Sequence, residues 1–267
     1  MDTAAALSSA HIPAASIAAM CFTFMLAVFV PPAAFFLFKK KCPGTKKIGV
    51  LIGALVFIVF ALVLERMLHI AVFKAAGEII RTNAWLYALY GGLAAGIFEE
   101  TGRFLAMKYV MRDGLNKRTS IMYGIGHGGI ESILLIGLPY LLMILASLII
   151  NHAPADYMSK IPPEKSILFA QAIYVAAVPF NILLAGMERF FTFIIQIGFS
   201  YIVYRGVKDK KISLFFAAIG LHFFADASSS VISRYAPVYF TEIYIMLLAA
   251  AISFFALKFY RREETEA

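Results

Sequence analysis

Charged and imidazole side chains occur in the middle of long apolar stretches of this chain. A charged side chain at the centre of a membrane span costs about 2.5 to 3.5 kcal/mol on insertion scales, so each one needs a partner or a function. The polar residues of interest inside apolar stretches are Glu99, Glu100, Arg103, Tyr123, His127, Glu131, Gln196, His222 and Asp226. Carboxylates and imidazoles together can activate water, bind a divalent metal or carry protons. The pattern therefore indicates a hydrolase or a proton-coupled carrier.

Four of these residues are predicted to lie at one depth in the membrane. Counted from the basic end of its own apolar stretch, each lies about 8 to 11 residues in, or roughly 12 to 17 Å deep at the rise of an α-helix. The four residues are Glu100, His127, Gln196 and His222. One acid, two imidazoles and one amide in a single layer predict one site.

Helical spacing predicts which of these side chains share a face, because residues four apart are neighbours on a helix. The predicted pairs are Glu99 with Arg103, His127 with Glu131, and His222 with Asp226. A histidine one turn from a carboxylate can be a metal ligand or an imidazole held in one tautomer for proton transfer. The glycines around His127 leave space for water or for another backbone, and both chemical alternatives remain open.

The elements that must position these residues are transmembrane helices. The 267 residues are 61% hydrophobic and 15% charged, with a mean hydropathy of +0.82, which excludes an ordinary soluble domain. Windows of about 20 apolar residues predict seven spans, near 12–38, 48–73, 83–108, 119–150, 183–205, 212–233 and 238–260. The shorter apolar run from Ser166 to Phe180 predicts an interfacial or re-entrant helix. We therefore expect an all-α, polytopic transmembrane helix bundle.

The distribution of basic residues predicts the orientation of these spans. One set of alternate loops carries sixteen Lys and Arg residues and the opposite set carries five, and cytoplasmic loops carry the excess. The amino terminus is thus predicted outside and the carboxyl terminus in the cytoplasm, in the plasma membrane of a bacterium. Membrane topology explains the net charge of +8 without nucleic acid. A single transmembrane domain is predicted over 1–267, with its motif-bearing core at about 83–233.

Three strings in the predicted core resemble a known family. The string FEETGR, the string GHGGIE one span later and the HxxxD pattern near the end are similar to the YhfC-type family of intramembrane metalloproteases. That family is related to the CAAX-processing protease group, whose motifs are EExxxR, FxxxH and HxxxN. The resemblance covers roughly residues 90–230 and implies peptide-bond hydrolysis inside the membrane.

The resemblance implies roles for particular residues. Glu99 or Glu100 would be the general base that activates a water molecule, and Arg103 would hold the glutamate pair. His127 and His222 would bind a divalent metal, expected to be zinc, or stabilise that water directly.

Four further residues complete the implied site. Asp226 stands where the wider group has Asn, and it is expected, like Glu131, to be a further ligand or a neighbour of the ligands. Tyr123 stands where the CAAX-related motif has Phe, and Gln196 stands where the family usually has His, so both are expected to line the site. An amide oxygen is a poor zinc ligand, so Gln196 would weaken metal binding if that histidine is a ligand.

The function that these features predict is hydrolysis of a peptide bond in a membrane-bound peptide or protein, near the cytoplasmic side of the membrane. The first alternative is a membrane transporter or proton-coupled carrier, because acid and imidazole chains also mark ion pathways. The second is a catalytically inactive relative that binds membrane peptides. The sequence has no internal repeat of the kind that many carriers show, which favours the hydrolase.

Overall fold

The helices of this protein follow the apolar stretches of its sequence. A computed structural model describes residues 10–154, 157 and 161–265, and these residues contain helices, turns and no β-strand. The helices are α1 (Ala14–Lys41), α2 (Ile48–Thr82), α3 (Ala84–Leu105), α4 (Lys117–His152), α5 (Pro163–Ala176), α6 (Pro179–Lys208), α7 (Ile212–Tyr235) and α8 (Val238–Thr265). The predicted all-α polytopic fold is confirmed.

Six of the described helices are long and apolar enough to cross a membrane by length and composition, whereas seven spans were predicted. The six are α1, α2, α4, α6, α7 and α8. Helix α3 has 22 residues, enough for a crossing at a rise of about 1.5 Å per residue. It carries Glu99, Glu100 and Arg103, and these charges lower its apolar character. Helix α5 has 14 residues, which suits the predicted interfacial or re-entrant helix.

Three stretches of π-helix interrupt the regular α-helical winding. They are Ile58–Glu65 within α2, Ala106–Val110 directly after α3, and Ile133–Gly137 within α4. A π-helical turn holds an extra residue, so it rotates the side chains that follow it relative to an ideal α-helix. Such turns are frequent at functional sites. Two of these stretches lie close to residues singled out from the sequence, since Ala106–Val110 follows Arg103 and Ile133–Gly137 follows Glu131.

The described chain forms two compact units. The first contains residues up to Val30 together with Ser132–Phe190, and its core includes Met20, Tyr140 and Ile182. The second contains Pro31–Glu131 together with the residues from Phe191 onward. All nine polar residues singled out from the sequence lie in the second unit. The single domain predicted over 1–267 stays a prediction.

Glycines in the second unit let helices pack with their backbones in close contact. A Cβ added at Gly92 of α3 would lie 2.8 Å from the Phe223 carbonyl oxygen, and a Cβ at Gly53 of α2 would clash with the Tyr123 carbonyl. A Cβ at Gly126 of α4 would likewise clash with the carbonyl of Val50 in α2. Small residues at helix interfaces are typical of membrane proteins. The space that these glycines leave is therefore filled by neighbouring backbone.

Replacing Gly126 by Ala is expected to destabilise the protein by about 1 to 3 kcal/mol, the usual effect of overpacking. The added methyl group would have to push α2 away from α4. Gly220→Ala is the matched control, because a Cβ at Gly220 meets nothing within 4 Å. Thermal unfolding in detergent, followed by circular dichroism, measures both variants. Equal midpoints for the two variants would contradict the close packing.

A carboxylate near the end of α8 joins that helix to α6. Glu263 accepts hydrogen bonds from the hydroxyls of Tyr201 and Tyr204 at 2.8 and 2.7 Å, and from Lys208 Nζ at 2.6 Å. Arg205 also contacts it at 3.4 Å. Glu263 is buried, so these four donors provide the partners that a buried charge requires. We refer to this group as the Glu263 cluster.

Candidate functional site

Two carboxylates and one imidazole from α3 and α4 form a buried cluster. Glu99, His127 and Glu131 each offer one ligand atom, and these atoms all lie within 4.8 Å of one another. His127 Nε2 lies 2.9 Å from Glu99 Oε2. The His127 ring is fully buried, with the Phe57 ring edge-on at 5.2 Å and the Tyr123 ring stacked at 5.9 Å. These aromatic rings limit the movement of the imidazole.

The side-chain amide of Gln196, from α6, joins this cluster as a hydrogen-bond donor. Its Nε2 donates to Glu131 Oε2 at 2.8 Å and to Glu99 Oε2 at 3.1 Å. Its Oε1 accepts a 2.6 Å hydrogen bond from Arg103. A guanidinium can only donate, so Arg103 fixes the orientation of the amide and directs the NH₂ group at both carboxylates.

Arg103 is fully buried and has partners on two helices. Besides the Gln196 side chain, it donates to the backbone oxygen of Gln196 at 3.1 Å. Its Nε lies 3.6 Å from Glu100 Oε2, one turn away on α3. The predicted ion pair of Arg103 with Glu99 is not formed. Glu99 and Glu100 point about 100° apart on α3, so Glu99 faces His127 while Glu100 contacts Arg103.

A second group of polar side chains lies between α3 and α7. His222 Nδ1 is 2.8 Å from Glu100 Oε1, and His222 Nε2 is 3.5 Å from Asp226 Oδ2. The His222 ring is stacked against Phe199 at 5.0 Å. Glu100 has no exposed side-chain surface, whereas 47% of the Asp226 side chain is exposed. The carboxylate at one end of this group, Glu100, is therefore buried, and the carboxylate at the other end, Asp226, is about half exposed.

The structure divides the residues that sequence analysis assigned to one metal site. His127 and Glu131 lie with Glu99, whereas His222 and Asp226 lie with Glu100. The cause is the orientation of the adjacent glutamates, which point from α3 toward different helices. Arg103 and Gln196 connect the two groups into one polar network. Tyr123 lies beside this network, because its ring packs against His127.

One buried acid near this network was missed by the interpretation of the sequence. Glu65 ends the π-helical stretch of α2, is buried, and lies 3.2 Å from His69 Nε2. His69 Nδ1 is in turn 2.7 Å from the Tyr90 hydroxyl. Glu65 interacts electrostatically with Glu99 and His222. Its spacing of four residues from His69 is the same signal as that of His127 with Glu131.

The residues of the first cluster fit a divalent metal. Two carboxylates and one imidazole are a suitable donor set for zinc and similar ions, and catalytic zinc sites use three protein ligands with one position left open. His127 Nδ1 is buried and has no hydrogen-bond partner among the described residues, so this ring is not fully used by the protein alone. A cation would also offset the burial of two carboxylates.

The helices and this network define a multi-pass membrane protein with a buried carboxylate and histidine site. The sequence model of the family described as YhfC intramembrane metalloprotease matches residues 23–263, and the chain belongs to this family. It is 31% identical over 242 residues to the uncharacterized membrane protein YhfC of Bacillus subtilis (strain 168), covering 87% of this chain and 92% of that relative. A bacterial origin is consistent with this relative. No solved structure matches the chain.

Proposed function

We propose that this protein is an intramembrane metalloprotease that hydrolyses a peptide bond in a membrane-bound peptide or protein. The observation that carries the proposal is the buried cluster of Glu99, His127 and Glu131 inside membrane helices. Buried ionisable groups in a membrane are costly and usually mark function. The membership of the chain in the YhfC family supports the same activity.

Three residues would hold the metal. We assign this role to His127, Glu131 and the Oε2 side of Glu99, and we expect zinc. When bound, such an ion lowers the pKa of water to about 7 and polarises a peptide carbonyl. Gln196 donates to the same two carboxylates, so its amide orients them toward the cluster.

Glu99 is the residue that we assign as proton acceptor. Its Oε2 is held by His127 and Gln196, while its Oε1 has no hydrogen-bond partner among the described residues. The Glu99 side chain is 9% exposed, whereas that of Glu100 is not exposed at all. We therefore assign Glu99 Oε1, and not Glu100, to take the proton of the attacking water.

Glu100 then has a positioning role. It contacts Arg103 on one side and His222 Nδ1 on the other. This contact fixes the tautomer and the orientation of the His222 ring, whose Nε2 faces the half-exposed Asp226. We assign His222, supported by Asp226, to deliver a proton to the leaving amine.

Metal content tests the proposal. We expect about one equivalent of a divalent metal in the detergent-purified protein, measured by elemental analysis. His127→Ala and Glu131→Gln should remove it, because each removes a ligand. His222→Ala is the matched control and should retain the metal, since His222 belongs to the other group.

Two results would contradict this assignment. A folded wild-type protein without any divalent metal would remove the metal mechanism. Equal loss of metal from His127→Ala and His222→Ala would instead place both histidines in one site, as the sequence alone predicts. Thermal unfolding of each variant distinguishes the loss of a ligand from the loss of the fold.

A proton-coupled carrier is the second candidate, and the array of Tyr90, His69 and Glu65 is the observation that favours it. This array adds a line of titratable groups, of which Glu65 interacts electrostatically with the site residues Glu99 and His222. Proton uptake into liposomes containing the protein, measured with a pH-sensitive dye, tests it. Uptake that is lost in Glu65→Gln, without any cleavage of membrane proteins by the wild type, would favour the carrier.

A further inference from the structure

A polar cavity is lined by residues outside the candidate site, where α2 and α7 end and α3 begins. Its volume is about 380 Å³. The residues that line it are Arg81, Ala84, Tyr87, Ser230, Ser233 and Arg234. None of them belongs to the network around Glu99 and Glu100. The cavity is therefore a separate feature of the second unit.

The charge of this cavity is positive and not neutralised by the protein. No carboxylate among the described residues lies within ion-pair distance of Arg81 or Arg234. The Arg81 guanidinium instead lies over the Phe73 ring, 5.1 Å from its centroid. Tyr87 and Ser230 also line the cavity, and their hydroxyls can donate hydrogen bonds. Two guanidiniums with neighbouring hydroxyls are the groups that bind phosphate, because the planar guanidinium matches two oxygens of one phosphate.

The position of the cavity matches the headgroup level of a bilayer. Trp85, which follows the lining residue Ala84, is 58% exposed, and Tyr235, which follows Arg234, is 67% exposed. Exposed Trp and Tyr at helix ends are typical of the membrane interface. The cavity also lies at the helix ends that are joined by the loops with few basic residues, which carry only five Lys and Arg residues in total. Two of these five line one cavity.

We propose that this cavity binds the phosphate of an anionic phospholipid headgroup. The two arginines would hold the phosphate oxygens, and the hydroxyls would donate to the remaining oxygens. A bound lipid would then contact the ends of α3 and α7, the two helices that contribute Glu100 and His222. This binding does not depend on the proposed protease activity.

The test uses Trp85, the one tryptophan in the sequence, as a built-in reporter. The full-length protein in detergent is titrated with brominated phosphatidylglycerol and with brominated phosphatidylcholine, and quenching of Trp85 is followed. We expect preferential quenching by phosphatidylglycerol. Arg81→Ala and Arg234→Ala should each weaken it about fivefold, and the double variant about 25-fold, from the usual contribution of one basic residue near an anionic surface.

Two control variants separate a built site from general charge attraction. Lys74→Ala removes an exposed cation of α2 that does not line the cavity, and its binding should equal that of the wild type. Arg81→Lys keeps the charge but loses the planar donor group, so its binding should fall between those of Arg81→Ala and the wild type.

The alternative outcomes overturn the proposal. Equal quenching by both lipids would show that the cavity has no preference for an anionic headgroup. A loss of binding in Lys74→Ala as large as that in Arg81→Ala would show only non-specific charge attraction. Competition by inorganic phosphate that depends on Arg81 and Arg234, without any preference for phosphatidylglycerol, would assign the cavity to free phosphate instead of lipid. Failure of the protease proposal would leave these results unaffected, because the readout is binding.

Discussion

Glu99→Gln is expected to lower the rate of peptide-bond cleavage by about 10²- to 10⁴-fold, the range that a general base contributes. The amide cannot take a proton from water, and it is a weaker metal ligand than the carboxylate, although it has nearly the same shape. Gln at this position can still accept hydrogen bonds from His127 and Gln196 through its oxygen. The variant should therefore fold like the wild type and be inactive.

Cleavage can be measured without a known substrate by mapping new protein termini in membranes from cells that express each variant. Glu78→Gln, at an exposed position of α2, is the matched control and should retain wild-type cleavage. The same termini at the same rate in Glu99→Gln would exclude Glu99 as the proton acceptor. Glu100→Gln should differ from Glu99→Gln by losing stability as well, because it leaves Arg103 without its carboxylate.

Arg103→Met is expected to lower the free energy of unfolding by about 3 to 5 kcal/mol, the usual result of removing one partner of a buried ion pair. Arg103 is fully buried and serves Glu100, the Gln196 side chain and the Gln196 backbone. Its loss would leave the Glu100 carboxylate with His222 alone and would free the Gln196 amide to rotate. Chemical unfolding in detergent measures the change.

Arg112→Met is the control for Arg103→Met. Arg112 forms a 3.2 Å pair with Asp113 in which both side chains are mostly exposed, and exposed pairs contribute less than about 1 kcal/mol. The double variant Arg103→Met with Glu100→Gln should recover part of the loss, because it removes the uncompensated charge. If Arg103→Met and Arg112→Met were equally stable, the buried pair would not be a stabilising element.

The fold was largely predictable from the sequence because apolar composition marks membrane helices directly. The span predicted at 212–233 is helix Ile212–Tyr235, and the span predicted at 238–260 is helix Val238–Thr265. Helix α3, which contains Glu99, is long enough to cross a membrane, but its charged residues make it less apolar than the other spans. The same charged residues predicted that this helix contributes to the site.

The arrangement of the site was predictable only in part. Depth along each helix depends on counting residues. Counting placed Glu100 and His222 in one predicted layer, and these two side chains are in contact. Direction around each helix depends on regular winding, and the π-helical stretches next to Glu65 and Glu131 disturb it. Whether Arg103 faces Glu99 or Glu100 is decided by one step of rotation on α3. Contacts with Gln196, on a distant helix, leave no local signal in the sequence.

The Glu263 cluster sets an order in which this protein can be completed during synthesis. Lys208 and Glu263 are separated by 55 positions in the chain, so at about 5 to 20 residues per second the acid is made roughly 3 to 11 s after its partners. During that interval Tyr201 and Tyr204 lack the acceptor that they have in the finished protein. Helix α6, which carries Gln196, can therefore reach its final set of contacts only after Glu263 has been synthesised.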